Sequence, residues 1–291
     1  MQKLLLITLF SLGLLSFTTD KPAYRLFDAK GQAKNYADLL KTAAKADIVF
    51  FGELHNNPIA HWLQLELTQD LFTQKQNQLL LGAEMFEADN QLVLTEYLNG
   101  LINEKNFETE CRLWDNYKTD YKPLINFAKQ NQLNFVATNI PRRYASIVSK
   151  RGLEALNTLP TEARNYIAPL PIKVDLSLPG YAAMLDMGSN HDENDTIGND
   201  FFPKAQAIKD ATMAHFILKN WEKNKLFLHF NGAYHSNNYE GIVWYLKQAN
   251  PKLNIVTISS TEQNNIDTLE EENKNVADFI IAIPTTMTKT Y

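Results

Sequence analysis

Residue types that bind metals or transfer protons follow two apolar segments that lie far apart in the chain. Gly52-Glu53-Leu54-His55 comes directly after Ile48–Phe51, and Gly232-Ala233-Tyr234-His235 comes after Leu226–Asn231. A glycine allows a chain to leave a strand at dihedral angles that other residues resist. We therefore expect both segments to carry polar side chains past the edge of a sheet, which is where open α/β sheets bind ligands. The alternative is two ordinary turns with chance histidines.

Two more apolar segments also end in polar residues. Glu84 closes Leu79–Ala83, and Asn139 closes Leu133–Thr138. If these segments are parallel strands of one sheet, their ends meet at one rim. A group that we call the rim quartet then converges there: Glu53, His55, Glu84 and His235. Two imidazoles and two carboxylates suit Zn²⁺, Mn²⁺ or Fe²⁺, so the quartet is predicted to bind a divalent metal ion. A buried hydrogen-bond network is the alternative for the same residues.

Further polar residues have a spacing that fits the same rim. Gln206, Asp210 and Met213 follow one another at helical intervals and share one helix face, which either faces a site or is solvated. Arg142 and Arg143 are the only adjacent arginines in the chain. Guanidinium groups at a sheet rim would clamp a carboxylate such as a propionate, whereas the alternative is ordinary surface charge.

The elements that must position these residues alternate between strands and helices. The predicted strands are Asp47–Phe51, Leu79–Glu84, Leu133–Thr138, Lys225–Phe230, Leu253–Ile258 and Ala277–Ile283. The predicted helices begin at Asn57-Pro58 or fit Gln91–Leu98, Tyr121–Gln130, Lys204–Lys223 and Tyr239–Lys247. This alternation predicts an α/β fold, with a three-layer α/β/α core around a mainly parallel sheet. Residues 140–202 are rich in proline, Asn and Asp and break the rhythm, so they are predicted to be an inserted lobe of helices and loops. The lobe is either a ligand wall or a plain surface excursion.

Composition limits the classes of function. The chain has 291 residues, of which 45% are hydrophobic, which is enough for one large domain. A net charge of −5 argues against a nucleic-acid partner. Cys111 is the only cysteine, so intramolecular disulfides and cysteine-rich zinc sites are excluded. No Gly-x-Ser-x-Gly motif is present, so a serine hydrolase has little support.

The first residues have the pattern of a targeting segment. Met1–Lys3 is a short basic start, and the apolar run Leu4–Phe17 has the length of a signal-peptide core. We expect residues 1–19 to be a signal peptide and residues 20–291 to form a single domain. The protein is then expected to be exported to the periplasm or secreted. No cysteine follows the run, so a lipoprotein is not expected.

Several motifs together resemble a known family. Gly52–Pro58 with His61, Gly82–Glu87 with Gln91, Asn139–Arg142, Gln206–Ala214 and Asn231–His235 occur in the order found in the haem-binding uptake family ChaN. This family belongs to the Tiki superfamily, together with TraB-like and erythromycin-esterase-like proteins. The resemblance covers about residues 46–260. It implies an α/β/α core with a helical lobe, and an exported protein for haem or iron uptake or storage that binds haem through a tyrosine.

The resemblance also suggests roles for particular residues. The expected cofactor-binding residues are Tyr181, Arg142, Asn139 and Asp210. Tyr181, next to Met184, is the first choice for the axial haem ligand, with Tyr166 and His191 as alternatives. The expected partners are haem, a second copy of the chain and an outer-membrane haem receptor. Two other functions stay open: a metal-dependent, peptidase-like or esterase-like hydrolase that uses the rim quartet, and a catalytically inert structural domain.

Overall fold

The computed structural model describes residues 21–188 and 200–291, and its centre is a single sheet. Within these residues the strands are β1 (Arg25–Asp28), β2 (Ala33–Lys34), β3 (Ile48–Glu53), β4 (Leu79–Glu87), β5 (Phe135–Asn139), β6 (Leu226–Gly232), β7 (Ile255–Gln263) and β8 (Phe279–Pro284). Their order across the sheet is β2-β1-β8-β7-β3-β6-β4-β5. The six strands from β8 to β5 are parallel, and only β1 and β2 are antiparallel to their neighbours. The mainly parallel α/β sheet predicted from the sequence is confirmed.

Helices cover both faces of this sheet. In the described part they are α1 (Tyr36–Ala43), α2 (Pro58–Lys75), α3 (Gln91–Leu98), α4 (Glu104–Glu110), α5 (Lys122–Gln130), α6 (Arg142–Arg151), α7 (Thr161–Arg164), α8 (Pro179–Gly188), α9 (Phe201–Asn220) and α10 (Ile242–Ala249). Alternate residues of β3 belong to different cores, because successive side chains of a strand point to opposite faces. Val49 packs with residues of α1 to α5, whereas Phe50 packs with residues of α9 and α10.

Helix α2 shows how the local sequence fixes an element beside the rim. The Asn57 side chain accepts hydrogen bonds from the backbone N–H groups of Ile59 (3.0 Å) and Ala60 (3.3 Å), and Pro58 occupies the first helical turn. These are the cap and the proline that the sequence predicts to start a helix here. The apolar stripe Leu63, Leu67 and Leu71 is buried against the sheet, as expected from its spacing.

Residues 140–202 contain helices α6, α7 and α8, which precede the long helix α9. The helices α6 and α7 share a core of their own with α9, built around Val148, Leu156 and Ile208. The strands β1 and β2 were not predicted, and β4 continues to Glu87, past its predicted end at Glu84. Among the described residues, no helix is long and apolar enough to cross a membrane.

Candidate functional site

Strand register brings the rim quartet together. β6 lies between β3 and β4, so the three strands that end in the predicted polar residues are neighbours. Glu53 stands opposite Gly232 across the pairing of β3 with β6, and Ala83 stands opposite Phe230 across the pairing of β4 with β6. The four side chains line one cavity of about 570 Å³ at the carboxyl ends of the strands. We call it the rim cavity, and its size is typical of small-molecule sites.

Gly52 and Gly232 are required by close packing. The reason expected from the sequence was a different one, namely backbone dihedral angles that other residues resist. A Cβ atom on Gly52 would lie 2.9 Å from the Cα atom of Ala233 and 2.9 Å from the carbonyl oxygen of Ile258. A Cβ atom on Gly232 would lie 2.7 Å from both Cε1 and Nε2 of His55. Gly232 itself has an ordinary φ of −55°. The glycines therefore let the two strand ends and the His55 ring approach each other.

Glu53 is a buried carboxylate that three side chains hold in place. Its Oε1 atom accepts hydrogen bonds from His55 Nδ1 (2.9 Å) and from the Tyr121 hydroxyl (2.6 Å), and its Oε2 atom accepts one from Gln64 Nε2 (2.5 Å). Burial would raise the pKa of Glu53, but the hydrogen bond from His55 and the nearby histidines outweigh burial and lower the pKa. Glu53 is therefore ionised and fixes the orientation of the His55 ring.

His235 lies between two buried carboxylates. Its Nδ1 atom is 2.5 Å from Asp210 Oδ1, and its Nε2 atom is 3.1 Å from Glu84 Oε1. Burial alone would lower the pKa of His235, yet Glu84 and Asp210 raise this pKa to about 10. Glu84 also accepts a hydrogen bond from the backbone N–H of Gly232 (2.8 Å), and despite burial its pKa lies well below the usual range because of His235. His235 is thus held between the two carboxylates, with its Nδ1 atom hydrogen-bonded to Asp210 and its Nε2 atom in an ion pair with Glu84.

The donor atoms of the rim quartet are mostly bonded within the protein. In the described part of the chain, no group of three His, Cys, Asp or Glu residues is arranged to hold a metal ion. The Glu53 carboxylate is bonded to His55, Tyr121 and Gln64, and His235 lies between Glu84 and Asp210. The structure thus does not support the predicted divalent-metal site, and the hydrolase that would use it stays a prediction. The side chains form the alternative, a buried hydrogen-bond network.

Tyr181 and Asp210, both expected to bind the cofactor, bind each other. The Tyr181 side chain is 3% exposed, and its hydroxyl donates a hydrogen bond to Asp210 Oδ2 (2.6 Å). Burial and the charge of Asp210 raise the pKa of Tyr181 far above its usual range. Neither residue lines the rim cavity, so Tyr181 is not placed to meet a ligand there. Tyr166 does not line the cavity either, and His191 lies outside the described residues.

Asn139 and Arg142 do line the rim cavity. The Oδ1 atom of Asn139 is buried without a hydrogen-bond partner among the described residues. Arg142 makes no ion pair with any described residue, whereas its neighbour Arg143 pairs with Asp89 at 2.6 Å. Lys209 is a second lining cation without an ion pair in the described part of the chain.

Sequence reasoning did not assign a role to several lining residues. Tyr234 stands inside the Gly-x-x-His motif, yet only the structure shows its side chain on the cavity wall, 45% exposed. The rings of Trp114 and His55 pack edge to face, with 4.9 Å between their centroids. Met184 adds apolar surface to the cavity wall. A second cavity of about 1030 Å³, the side cavity, shares Glu87, Trp114 and Arg142 with the rim cavity.

Comparison with solved structures shows a shared fold. ChaN of Campylobacter jejuni, described as binding haem cofacially, is 18% identical with a TM-score of 0.66, and the match covers 89% of this chain and 96% of ChaN. A Bacillus cereus protein is 12% identical with a TM-score of 0.50, covering 85% of this chain and 90% of that protein.

Comparison with curated protein sequences gives no match. A sequence profile of one family, by contrast, matches residues 39–246, which is well over half of the chain. The matched range contains the whole rim quartet, Asn139 and Arg142. The chain therefore belongs to the haem-binding uptake family ChaN of the Tiki superfamily.

Proposed function

We propose that this protein binds haem in the rim cavity and serves haem or iron uptake or storage. The observation that carries the proposal is the lining of that cavity, which combines a tyrosine, apolar side chains and two cations that form no ion pair with any described residue. A haem site needs an axial donor, an apolar wall and partners for two carboxylates. Family membership and the similarity in fold to Campylobacter jejuni ChaN support the same ligand.

Tyr234 is the tyrosine best placed to be the axial ligand. It lines the rim cavity, whereas Tyr181 is buried and bonded to Asp210. Its hydroxyl donates a hydrogen bond to the Gly180 carbonyl group and would give up this bond to hold the iron. Burial and the charges of Asp210 and Glu240 raise the pKa of Tyr234. This raised pKa opposes loss of the hydroxyl proton, and ferric iron, which favours a phenolate oxygen, is the oxidation state expected to displace it.

Arg142 and Lys209 are the expected partners of the propionate groups. Both lack an ion pair among the described residues, so neither must give up a carboxylate of the protein to bind a ligand. Asn139 has a buried side-chain oxygen without a partner among the described residues, and this oxygen can accept a hydrogen bond from a ligand. Met184 and Ile140 supply apolar surface for the macrocycle.

A titration of the purified protein with ferric haem tests the proposal. The expected result is a saturable shift of the Soret band at micromolar haem, with the charge-transfer bands of a tyrosinate ligand. Tyr234→Phe should remove those bands, and the matched variant Tyr181→Phe should keep them. Arg142→Ala should weaken binding about fivefold without changing the spectrum, because an exposed ion pair contributes up to about 1 kcal/mol.

The titration also contains the results that would contradict the proposal. A wild-type protein without a saturable Soret shift would exclude haem as the ligand. A Tyr234→Phe variant with an unchanged spectrum would leave haem binding intact and refute the ligand assignment.

Export, a homodimer and an outer-membrane receptor belong to the same proposal. The sequence of the mature N-terminus tests export, and the mass of the haem complex tests the homodimer.

A further inference from the structure

The chain that follows β8 runs across the sheet rim towards the side cavity. We call this segment, Thr285–Tyr291, the tail strap. The backbone N–H of Thr285 donates to the Gln263 carbonyl at the end of β7 (3.2 Å), and Met287 packs against the core between β3 and helices α1 to α5. Tyr291 lines the side cavity, where it is 68% exposed. The tail strap therefore forms part of the wall of that cavity.

Weak contacts fasten the outer end of the tail strap. Lys289 forms an ion pair with Glu262, and both side chains are partly exposed. The backbone N–H of Thr290 donates to the Asn56 carbonyl (3.0 Å), and the Asn56 amide reaches the Tyr291 carbonyl only at 3.5 Å. The Thr290 hydroxyl is buried without a partner among the described residues, so it gains a hydrogen bond to water when the strap leaves. Since exposed ion pairs contribute little, this end can detach at low cost.

The partner of Lys289 keeps its own link to the fold when the strap is absent. Glu262 also accepts a hydrogen bond from the Asn57 side-chain amide (2.8 Å), while the Asn57 oxygen caps helix α2. Neither bond involves the tail strap. Detachment of the strap therefore leaves the start of α2 intact and changes only the wall of the side cavity.

The side cavity connects the tail strap with the rim cavity. The two cavities share Glu87, Trp114 and Arg142, so a molecule that enters the side cavity is next to the rim cavity. Cys111 also lines the side cavity and is 6% exposed. It is the only cysteine in the chain, and it therefore reports on how easily a small molecule reaches this wall from solvent.

We propose that the tail strap is a detachable lid that controls access from solvent to the side cavity. In the attached state Tyr291 stands at the opening of the cavity. In the released state residues 289–291 leave Asn56 and Glu262, and the opening widens. Folded proteins open locally where few buried contacts hold a segment, and the outer end of the strap is such a segment. The lid acts on any ligand that enters from this side, so its action does not depend on haem binding.

The test measures how fast N-ethylmaleimide modifies Cys111 in the haem-free protein at one fixed pH, with mass spectrometry to follow the added mass. Lys289→Ala should raise the rate about fivefold, which corresponds to the loss of an exposed ion pair of up to about 1 kcal/mol. Removal of residues 289–291 also removes the bonds to Asn56 and should raise the rate at least about tenfold. Lys274→Ala breaks a surface ion pair with Glu271 outside the cavity. It is the matched control and should keep the wild-type rate.

The dependence of the modification rate on urea separates release of the strap from unfolding of the whole chain. Release exposes little surface, so the rate should change little at low urea concentrations, whereas modification through global unfolding rises steeply with urea. A shortened chain that is modified at the wild-type rate would overturn the proposal. A rate that rises with urea as steeply as global unfolding would overturn it as well.

Discussion

The substitution Gly232→Ala tests whether the glycine is present to make room for His55. The new Cβ atom would lie 2.7 Å from Cε1 and Nε2 of His55, which is about 0.7 Å closer than ordinary contact. The His55 side chain is 38% exposed and can therefore swing towards solvent. The movement breaks its hydrogen bond to Glu53 without forcing the backbone to shift.

Two opposing contributions determine the expected change in the free energy of unfolding of Gly232→Ala. A hydrogen bond to a charged group contributes about 1.5–3 kcal/mol, and partial exposure of His55 places this one near the lower limit. Replacing glycine by alanine stabilises by about 0.4–1 kcal/mol through the unfolded chain, because the φ of Gly232 suits alanine. The net loss in the free energy of unfolding should be about 1 kcal/mol. Gly52→Ala should cost more, about 2–3 kcal/mol, because its Cβ atom meets backbone atoms that cannot swing away.

Equilibrium unfolding in urea near neutral pH measures both variants, and a double-mutant cycle identifies the cause. In the background of His55→Ala, the cost of Gly232→Ala should vanish or become a small gain. An equal cost in both backgrounds would refute the explanation that Gly232 makes room for the His55 ring. A Gly232→Ala variant that is as unstable as Gly52→Ala would refute it as well.

Three further outcomes are expected from the buried network. His235→Ala should lower the free energy of unfolding by about 3–5 kcal/mol in urea melts, because Glu84 and Asp210 lose the cation between them. Tyr181→Phe should cost about 1.5–2 kcal/mol in the same assay, because Asp210 loses one donor. The folded pKa of His235 is raised from 6.5 to about 10, so its contribution to stability is complete below pH 6.5 and is lost as pH rises through about 10. The folded pKa of Glu84 is lowered from 4.5, so its contribution is present above pH 4.5 and is lost in acid. Urea melts at different pH values should therefore show a plateau in the free energy of unfolding between pH 4.5 and pH 6.5.

The sequence predicts the parts of the fold that depend on local pattern. The runs Ile48–Phe51 and Leu226–Phe230 are continuous in apolar character because both faces of their strands are covered by helices. Asn57 and Pro58 predict the start of α2 because capping is a local interaction. By contrast, β1 has four residues and β2 has two, which is too short for a periodic pattern. Their pairing is antiparallel and depends on contact with β8.

The sequence also predicts that polar residues gather at the rim, because four strand ends are visible in it. It does not predict which atoms pair. Whether Asp210 faces solvent, a ligand or Tyr181 depends on how the inserted lobe packs, which no spacing within α9 reveals. Likewise, Gln64 and Tyr121 reach Glu53 from separate helical segments. The hydrogen-bond network at the rim is therefore a tertiary property, whereas its location is a property of strand order.

The inserted lobe and the rim form one connected unit. Tyr181 on α8 donates to Asp210 on α9, and Asp210 binds His235, which follows β6 and binds Glu84 on β4. The first turn of α8 has two further links, because Gly180 N–H donates to Glu240 (2.7 Å) and the Gly180 carbonyl accepts a hydrogen bond from Tyr234. Moving α8 outwards would break all three connections and remove a donor from a buried carboxylate. We therefore expect α8 to act as a fixed wall, and ligands to enter where Trp114 and Arg142 border both cavities.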